Sequence, residues 1–202
     1  MKETINAAET NEAKRAMDGI LARSDKSALR MMTKEDCALI VRWRNKPSVR
    51  EWYIYREPFT LEGEEAYYER EVKTGHVIHL MVLDPADGYK PVGCSVFNRM
   101  EPDKNQMEGG IFLGEDSVKG KGIGSDAYRL ATRWVFAHWP MPEAEGDPSM
   151  ISHVATKNIA SIRMAENVGF RYEKTLKDVR CTDGTLMDMV QIVLRKSFLA
   201  DE

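Results

Sequence analysis

The pattern of apolar and polar positions divides the chain into short periodic runs. Residues 1–25 are charged and alanine-rich, with Ala13, Ala16, Met17, Ile20 and Leu21 at helical spacing, which predicts an N-terminal helical extension ahead of a single domain over 26–202. "SALRMM" then reads as a strand. Thr33 caps a helix over "KEDCALIVRWRN" that stops before Pro47, and Thr60 caps a second over "TLEGEEAYYEREVK". "HVIHLMVLD" and "PVGCSVFNRM" are β-rich runs joined by an Asp-Gly turn, so an antiparallel hairpin is expected, followed by a third strand at "EGGIFLGE". Helical spacing returns in "DAYRLATRWVFAHW". A Pro/Gly/acidic connection at 141–150 separates it from a strand "MISHVAT", a helix "NIASIRMAENV" closed by Gly169, and a last hairpin turning at Asp183 and Gly184. The expected fold is α/β: a mixed, mostly antiparallel twisted sheet with helices on both faces.

Composition narrows the function. The 202 residues, 43% hydrophobic, suffice for one ordinary core. A net charge of -3 lacks the basic footprint of a nucleic-acid binder. No run of about 18 apolar residues could span a membrane, and no signal peptide is evident, so a cytoplasmic protein is expected. Cys37, Cys94 and Cys181 are odd in number and far apart, which suggests neither disulfides nor a metal site.

The densest chemistry lies in "VKGKGIGSDA", where Gly120, Gly122 and Gly124 alternate beside Lys119 and Lys121 at the start of a helix. Free amides and the positive end of a helix dipole make such a turn an anion cradle. It is not a Walker A loop: the spacing from Gly114 to Gly120 is one residue too long, and Gly122 stands where Ser or Thr is needed. It is not a dinucleotide fingerprint either, because the third glycine falls on Ser125 and no βαβ unit surrounds it. A pyrophosphate fits what remains, and a glycine turn that merely opens a helix under two solvated lysines is the plain alternative.

Further along, Asn158, Ser161 and Ala165 fall on one helix face in "ATKNIASIRMAENVGF". Together the two segments resemble the signatures of the GNAT superfamily of N-acetyltransferases. Residues 119–124 match its first, with lysine in the leading Gln/Arg position. Asn158, Ser161, Gly169 and Phe170 match its second. The resemblance implies acetyl-CoA as co-substrate and no metal, with the pyrophosphate on the amides of Lys119, Gly120, Lys121, Gly122, Ile123, Gly124 and Ser125. It further implies that the pantetheine arm pairs with a splayed strand at Phe112, Leu113 and Gly114, and that Asn158 lies near the thioester. A homodimer is common in the superfamily.

Acyl transfer to an amine needs a neutral nitrogen and a proton for the leaving thiolate. The tyrosine that many relatives use as acid is replaced by Ala165, so the resemblance points instead to Ser161. Glu108, at the start of the strand leading into the turn, is the first candidate base, with His76 and His79 as others. Specificity is expected in "VRWRNKPSVREWYIYREPF", where Trp43, Arg44, Asn45, Trp52 and Tyr53 suit stacking and anion pairing, although the tryptophans serve equally as core anchors. This stretch is similar to enzymes that acetylate UDP-linked 4-amino sugars and, more loosely, to the ribosomal-protein N-acetyltransferases. The acceptor is thus expected to be a primary amine of a small molecule, with a protein N-terminus or a catalytically inactive CoA-binding module as the alternatives.

Overall fold

The computed structural model describes residues 19–101, 104–138 and 146–199. Its strands are β1 (Ile20–Arg23), β2 (Ala28–Met31), β3 (Ile78–Asp84), β4 (Lys90–Glu101), β5 (Gln106–Leu113), β6 (Ser149–Ala155), β7 (Arg171–Arg180) and β8 (Leu186–Arg195). They form one sheet in the order β1-β2-β3-β4-β5-β6-β8-β7. Every neighbouring pair is antiparallel except β5 and β6. The helices are α1 (Cys37–Arg44), a single turn α2 (Pro47–Arg50), α3 (Leu61–Tyr67), α4 (Ile123–His138) and α5 (Ile159–Val168).

The expected mixed α/β sheet is the observed one, with two differences. Ile20 and Leu21, whose spacing predicts a helix, lie in β1 and pair with β2. A few apolar positions fit either period, and tertiary pairing decides between them. Residues 1–18 of the expected extension and the first half of the expected 141–150 connection lie outside the described residues. The other difference is α2, which follows Lys46 and opens with Pro47 at its first turn, where a missing N–H costs nothing.

Strand alternation gives the sheet two faces. On one, Leu80, Val82, Phe97, Met107, Met150 and Leu194 pack against Ala127, Tyr128, Ala131 and Val135 of α4 and Ala165 and Val168 of α5. On the other, Ala28, Met81, Leu83 and Cys94 pack against Cys37, Ile40 and Trp43 of α1. Glu108 follows Met107, and His153 stands between Ser152 and Val154, so both face the α1 side.

Several glycines permit close approaches that shape this frame. A Cβ at Gly109 would lie 2.6 Å from Met150 Sδ and 2.9 Å from Phe97 Cδ1, so its absence lets those side chains meet across β5. A Cβ at Gly124 would lie 2.9 Å from Met164 Sδ, so the glycine lets α4 and α5 pack together. At Gly114 a Cβ would sit 2.1 Å from the Trp43 ring, which is fully enclosed and donates its indole N–H to Glu115 at 2.8 Å. The ring therefore pins α1 to the end of β5.

Neither the indole nor the strand end can move aside without breaking that contact. Gly114→Ala is thus expected to destabilise the protein by about 2–3 kcal/mol through overpacking. Urea denaturation measures this, and an unchanged midpoint would mean that Trp43 does not pin the strand.

Candidate active site

The site is built around a break in the sheet. β5 and β6 pair only at Gln106–Ser149, Met107–Met150 and Glu108–Ile151. Beyond Glu108, β5 stays on β4 as far as Leu113, and β6 stays on β8 as far as Ala155. The two strands therefore part, and each presents an unpaired edge to the opening. Such an edge offers N–H and C=O groups to any extended chain that enters.

At one end of the opening is the glycine turn. Gly120 and Gly122 take φ values of 75° and 81°, the left-handed region that favours glycine. Among the described residues the amides of 120–125 meet no protein acceptor, and α4 begins at Ile123, so donors and dipole converge as an anion cradle requires. Lys121 is exposed, while Lys119 is paired with Asp116 at 2.5 Å.

The structure adds two neighbours that sequence reading missed. Lys26 Nζ, in the β1–β2 turn, comes within 3.8 Å of where a Gly122 Cβ would be. Asp126, in the first turn of α4, accepts hydrogen bonds from the hydroxyls of Ser24 and Ser27. Only the fold brings a loop a hundred residues away to the cradle. A charged turn residue gives no signal of it.

Asn158 and Ser161 sit where β6 meets α5. The Asn158 side chain caps the helix, its oxygen accepting the Ser161 amide at 3.2 Å, and both residues are half-buried. Ala165 is buried, so no side-chain acid occupies that position. Phe112 and Leu113 line the free edge of β5. Gly114 has already left it: its amide is bonded to Val92 O at 2.9 Å, its carbonyl accepts from Lys46, and Trp43 covers it.

Across the opening, on the α1 face, Glu108 Oε1 lies 2.9 Å from His153 Nδ1, and His153 Nε2 lies 3.0 Å from Gln191 Oε1. His153 was not among the residues singled out from sequence. Its only signal was a titratable side chain within a short strand. Two positions beyond Glu108, Gly110 has no atom within 4 Å of where its Cβ would be, so the floor beside the carboxylate is open.

Two histidines were also expected as alternative bases. His79 is buried between Tyr67 and Cys94, and burial, reinforced by Arg44, pushes its ring down to about 4, which keeps it neutral. His76 is exposed in a bend, 3.7 Å from Glu71.

The expected acceptor residues divide similarly. Trp43 is a correction: it is enclosed and bound to Glu115, and offers no ring face to a ligand. Asn45 clasps the Phe59 backbone in both directions at 2.8 Å and so anchors the strap of residues 51–60. Arg44 is buried among aromatics, 3.3 Å from the centroid of Tyr53 and 4.8 Å from that of Phe59. Burial raises the Tyr53 phenol and Arg44 opposes this, while the Tyr53 ring meets Phe112 edge-on. Trp52 is half-buried on the strap.

The far end of the strap is tied to the β7–β8 turn. Thr182 N–H donates to Ile54 O at 3.0 Å, Arg56 N–H donates to Thr182 Oγ1 at 2.8 Å, and Arg56 pairs with Asp183 at 3.8 Å. The strap therefore bridges the α1 face from α1 to the last hairpin. In α3, burial pushes the Glu64 carboxyl up to about 7 against the pull of Arg44.

The geometry thus combines an anion cradle, a slot with unpaired strand edges, and a carboxylate at the apex of the slot. No cluster of metal-ligating side chains occurs among the described residues.

Residues 27–171 match the acetyltransferase (GNAT) domain family. An aminoglycoside N(6')-acetyltransferase type 1 of Klebsiella pneumoniae is 27% identical over 178 residues, 83% of this chain and 84% of that protein. The uncharacterized protein MJ1062 of Methanocaldococcus jannaschii is 26% identical over 155 residues, 76% of this chain, and the chain spans only 30% of that protein's length. Among solved structures, the spermidine N-acetyltransferase of Vibrio cholerae in complex with CoA and spermine superposes with a TM-score of 0.75 at 17% identity, covering 88% of this chain and 100% of that one. The aminoglycoside acetyltransferase AAC(6')-Ib in complex with coenzyme A gives 0.65 at 22% identity over 85% and 95%. These last two likenesses speak for the fold, whereas the match of 27–171 speaks for the family. The chain belongs to the GNAT family of acetyltransferases.

Proposed function

We propose that this chain transfers the acetyl group of acetyl-CoA directly to a primary amine of a small molecule, within a ternary complex. The observation that carries the reading is the parting of β5 and β6 after Glu108, with an anion cradle at one end and a carboxylate at its apex.

The amides of 120–125 hold the pyrophosphate, with charge from Lys119, Lys121 and Lys26. The amide-bearing arm lies along the β5 edge at Phe112 and Leu113, and Asn158 stands near the thioester. An alkyl ammonium with a pKa of about 10 must lose a proton before it can attack. Glu108 takes that proton, the nitrogen adds to the thioester carbonyl, and the C–S bond breaks as the tetrahedral intermediate collapses. The nitrogen sheds a second proton as it becomes the amide, and the departing sulfur takes up one proton in turn near Ser161, whose hydroxyl lies at the first turn of α5.

A small acceptor is favoured over a peptide N-terminus because the strap 51–60 bridges the acceptor face, where a polypeptide would need an open groove. A UDP-linked sugar is less well served than its aromatic and arginine-rich stretch suggests. Arg42 pairs with Glu115, Arg44 is stacked among rings, and Arg56 is bonded to Tyr53 O and paired with Asp183. Relatives that act on aminoglycosides and spermidine are consistent with a cationic small amine.

A thiol-release assay with acetyl-CoA tests this on spermidine, an aminoglycoside, a UDP-4-amino sugar and a ribosomal-protein N-terminal peptide. Turnover of a small amine is expected, whereas turnover of the peptide alone, or of nothing while CoA still binds, would overturn the acceptor reading. Gly122→Asp should raise the CoA Kd by about 30-fold or more, since it strains a left-handed position and adds an anion to the cradle. Calorimetry measures it, and an unchanged Kd would remove the cradle from the cofactor site.

Glu108→Gln should lower kcat/KM for the amine by about 100-fold or more, and Ser161→Ala by about 10-fold, with CoA affinity retained in both. Gly110→Val should fill the open floor, raising KM for the amine while leaving CoA binding intact. Equal loss of both would mean that Gly110 serves the strand instead.

A further inference from the structure

Four polar side chains form a continuous line across the sheet on the acceptor face: Glu108 on β5, His153 on β6, Gln191 on β8 and Glu173 on β7. His153 and Gln191 stand directly opposite in the β6–β8 register. The Gln191 amide nitrogen donates to Glu173 Oε2, its oxygen lies 3.0 Å from His153 Nε2, and His153 Nδ1 lies 2.9 Å from Glu108 Oε1. Glu108 and His153 are 23% and 20% exposed, which leaves them shielded yet reachable from the opening.

The protons along this line follow from what each group can do. An ionised carboxylate only accepts, so Glu173 draws the amide nitrogen of Gln191 toward itself and turns the amide oxygen toward His153. That oxygen also only accepts, so His153 Nε2 carries a hydrogen. The other ring nitrogen, Nδ1, lies 2.9 Å from Glu108 Oε1, and the two share a place for a single proton. When that proton is released a lone pair faces an anion, which favours taking it up again. Imidazole and carboxyl are thereby two ends of one proton-binding unit.

We propose that His153 is the positioning residue of the base: held in its Nε2–H form by Gln191 and Glu173, it makes Glu108 and itself take up and release one proton together. In the active form the imidazole is neutral and Glu108 ionised. The acceptor ammonium gives up one N–H proton, its electron pair stays on nitrogen as the nucleophile, and the proton comes to rest between Glu108 Oε1 and His153 Nδ1. The unit's charge rises by one as that of the amine falls by one.

This inference rests on Glu108 being the base and extends it. A lone carboxylate, ordinarily near 4.3, is a poor acceptor for an ammonium proton, whereas an imidazole facing a carboxylate binds its proton above its ordinary value of about 6.5. The unit is then poised near neutral pH, where base catalysis is most effective. From the helical face of the sheet, the Tyr128 phenol of α4 interacts with the Glu108 charge, and burial raises it so that it stays neutral.

Two measurements test this. In the full chain saturated with CoA and labelled with ¹⁵N-histidine, His153 Nε2 should remain protonated at every pH, while Nδ1 titrates with a midpoint above about 6.5 that falls in Glu108→Gln. A neutral Nδ1–H tautomer, or a midpoint indifferent to Glu108→Gln, would overturn the proposal.

The second is the pH profile of kcat/KM on the amine found by the panel, read for wild type and for His153→Asn, whose amide can still donate to Glu108 but cannot titrate. The acid limb should move down by about 2 units, toward the carboxylate range, with lower kcat and an unchanged KM for acetyl-CoA. A His153→Asn profile that superimposes on the wild type, while Glu108→Gln is impaired, would overturn the role of His153 alone. Wild-type rates in Glu108→Gln would overturn the base reading, and the unit with it.

Discussion

The structure depends on one broken partnership, the failure of β5 and β6 to stay paired beyond Glu108. A sheet ordinarily satisfies its backbone by continuing its ladders, and an interior edge left open costs the bonds it forgoes. Here the cost is confined to a few residues, because each strand keeps its other neighbour: β5 is held by β4 and β6 by β8. The flanking hairpins are the real frame, and the parallel pair is only a seam. A ligand that lays its own amides along the seam restores what the sheet gave up.

The two faces of that frame divide the labour. The α4 and α5 side is filled, so much so that Gly109 must lack a side chain for Phe97 and Met150 to meet. The α1 side is filled near β2, β3 and β4 and then opens past Glu108, where Gly110 leaves its floor clear. Adjacent glycines in one strand thus serve opposite ends, one for packing and one for room. The strap adds a roof on the second side, held at Asn45 and at the β7–β8 turn, with Arg44 buried among its rings beneath it.

How much of this was legible in the sequence followed from how local each feature is. The glycine turn, the Asn158 cap and the strands that alternate strongly are specified by neighbours in the chain, and they stand where pattern reading puts them. Ile20 and Leu21 were misread because four residues carry too little periodicity to choose between helix and strand without a partner. Trp43 was ambiguous for another reason: an aromatic beside arginines is equally a recognition face or a core anchor, and only its enclosure by Gly114 and Glu115 separates the two. His153 and Lys26 were invisible because their importance lies wholly in contacts across 45 residues in one case and nearly a hundred in the other.

Asp126 carries a meaning of a different kind. It places a negative charge at the first turn of the helix whose positive end would receive the diphosphate in the proposed reaction, and the hydroxyls of Ser24 and Ser27 hold it there. In the absence of ligand, that carboxylate already occupies part of the dipole's attraction. A diphosphate arriving at the same helix end shares the field with it and is bound less tightly than the bare turn would allow. In the proposed reaction, where spent CoA leaves after every cycle, a tempered cradle would shorten the dwell time of the product, and residence time is what limits many well-evolved catalysts.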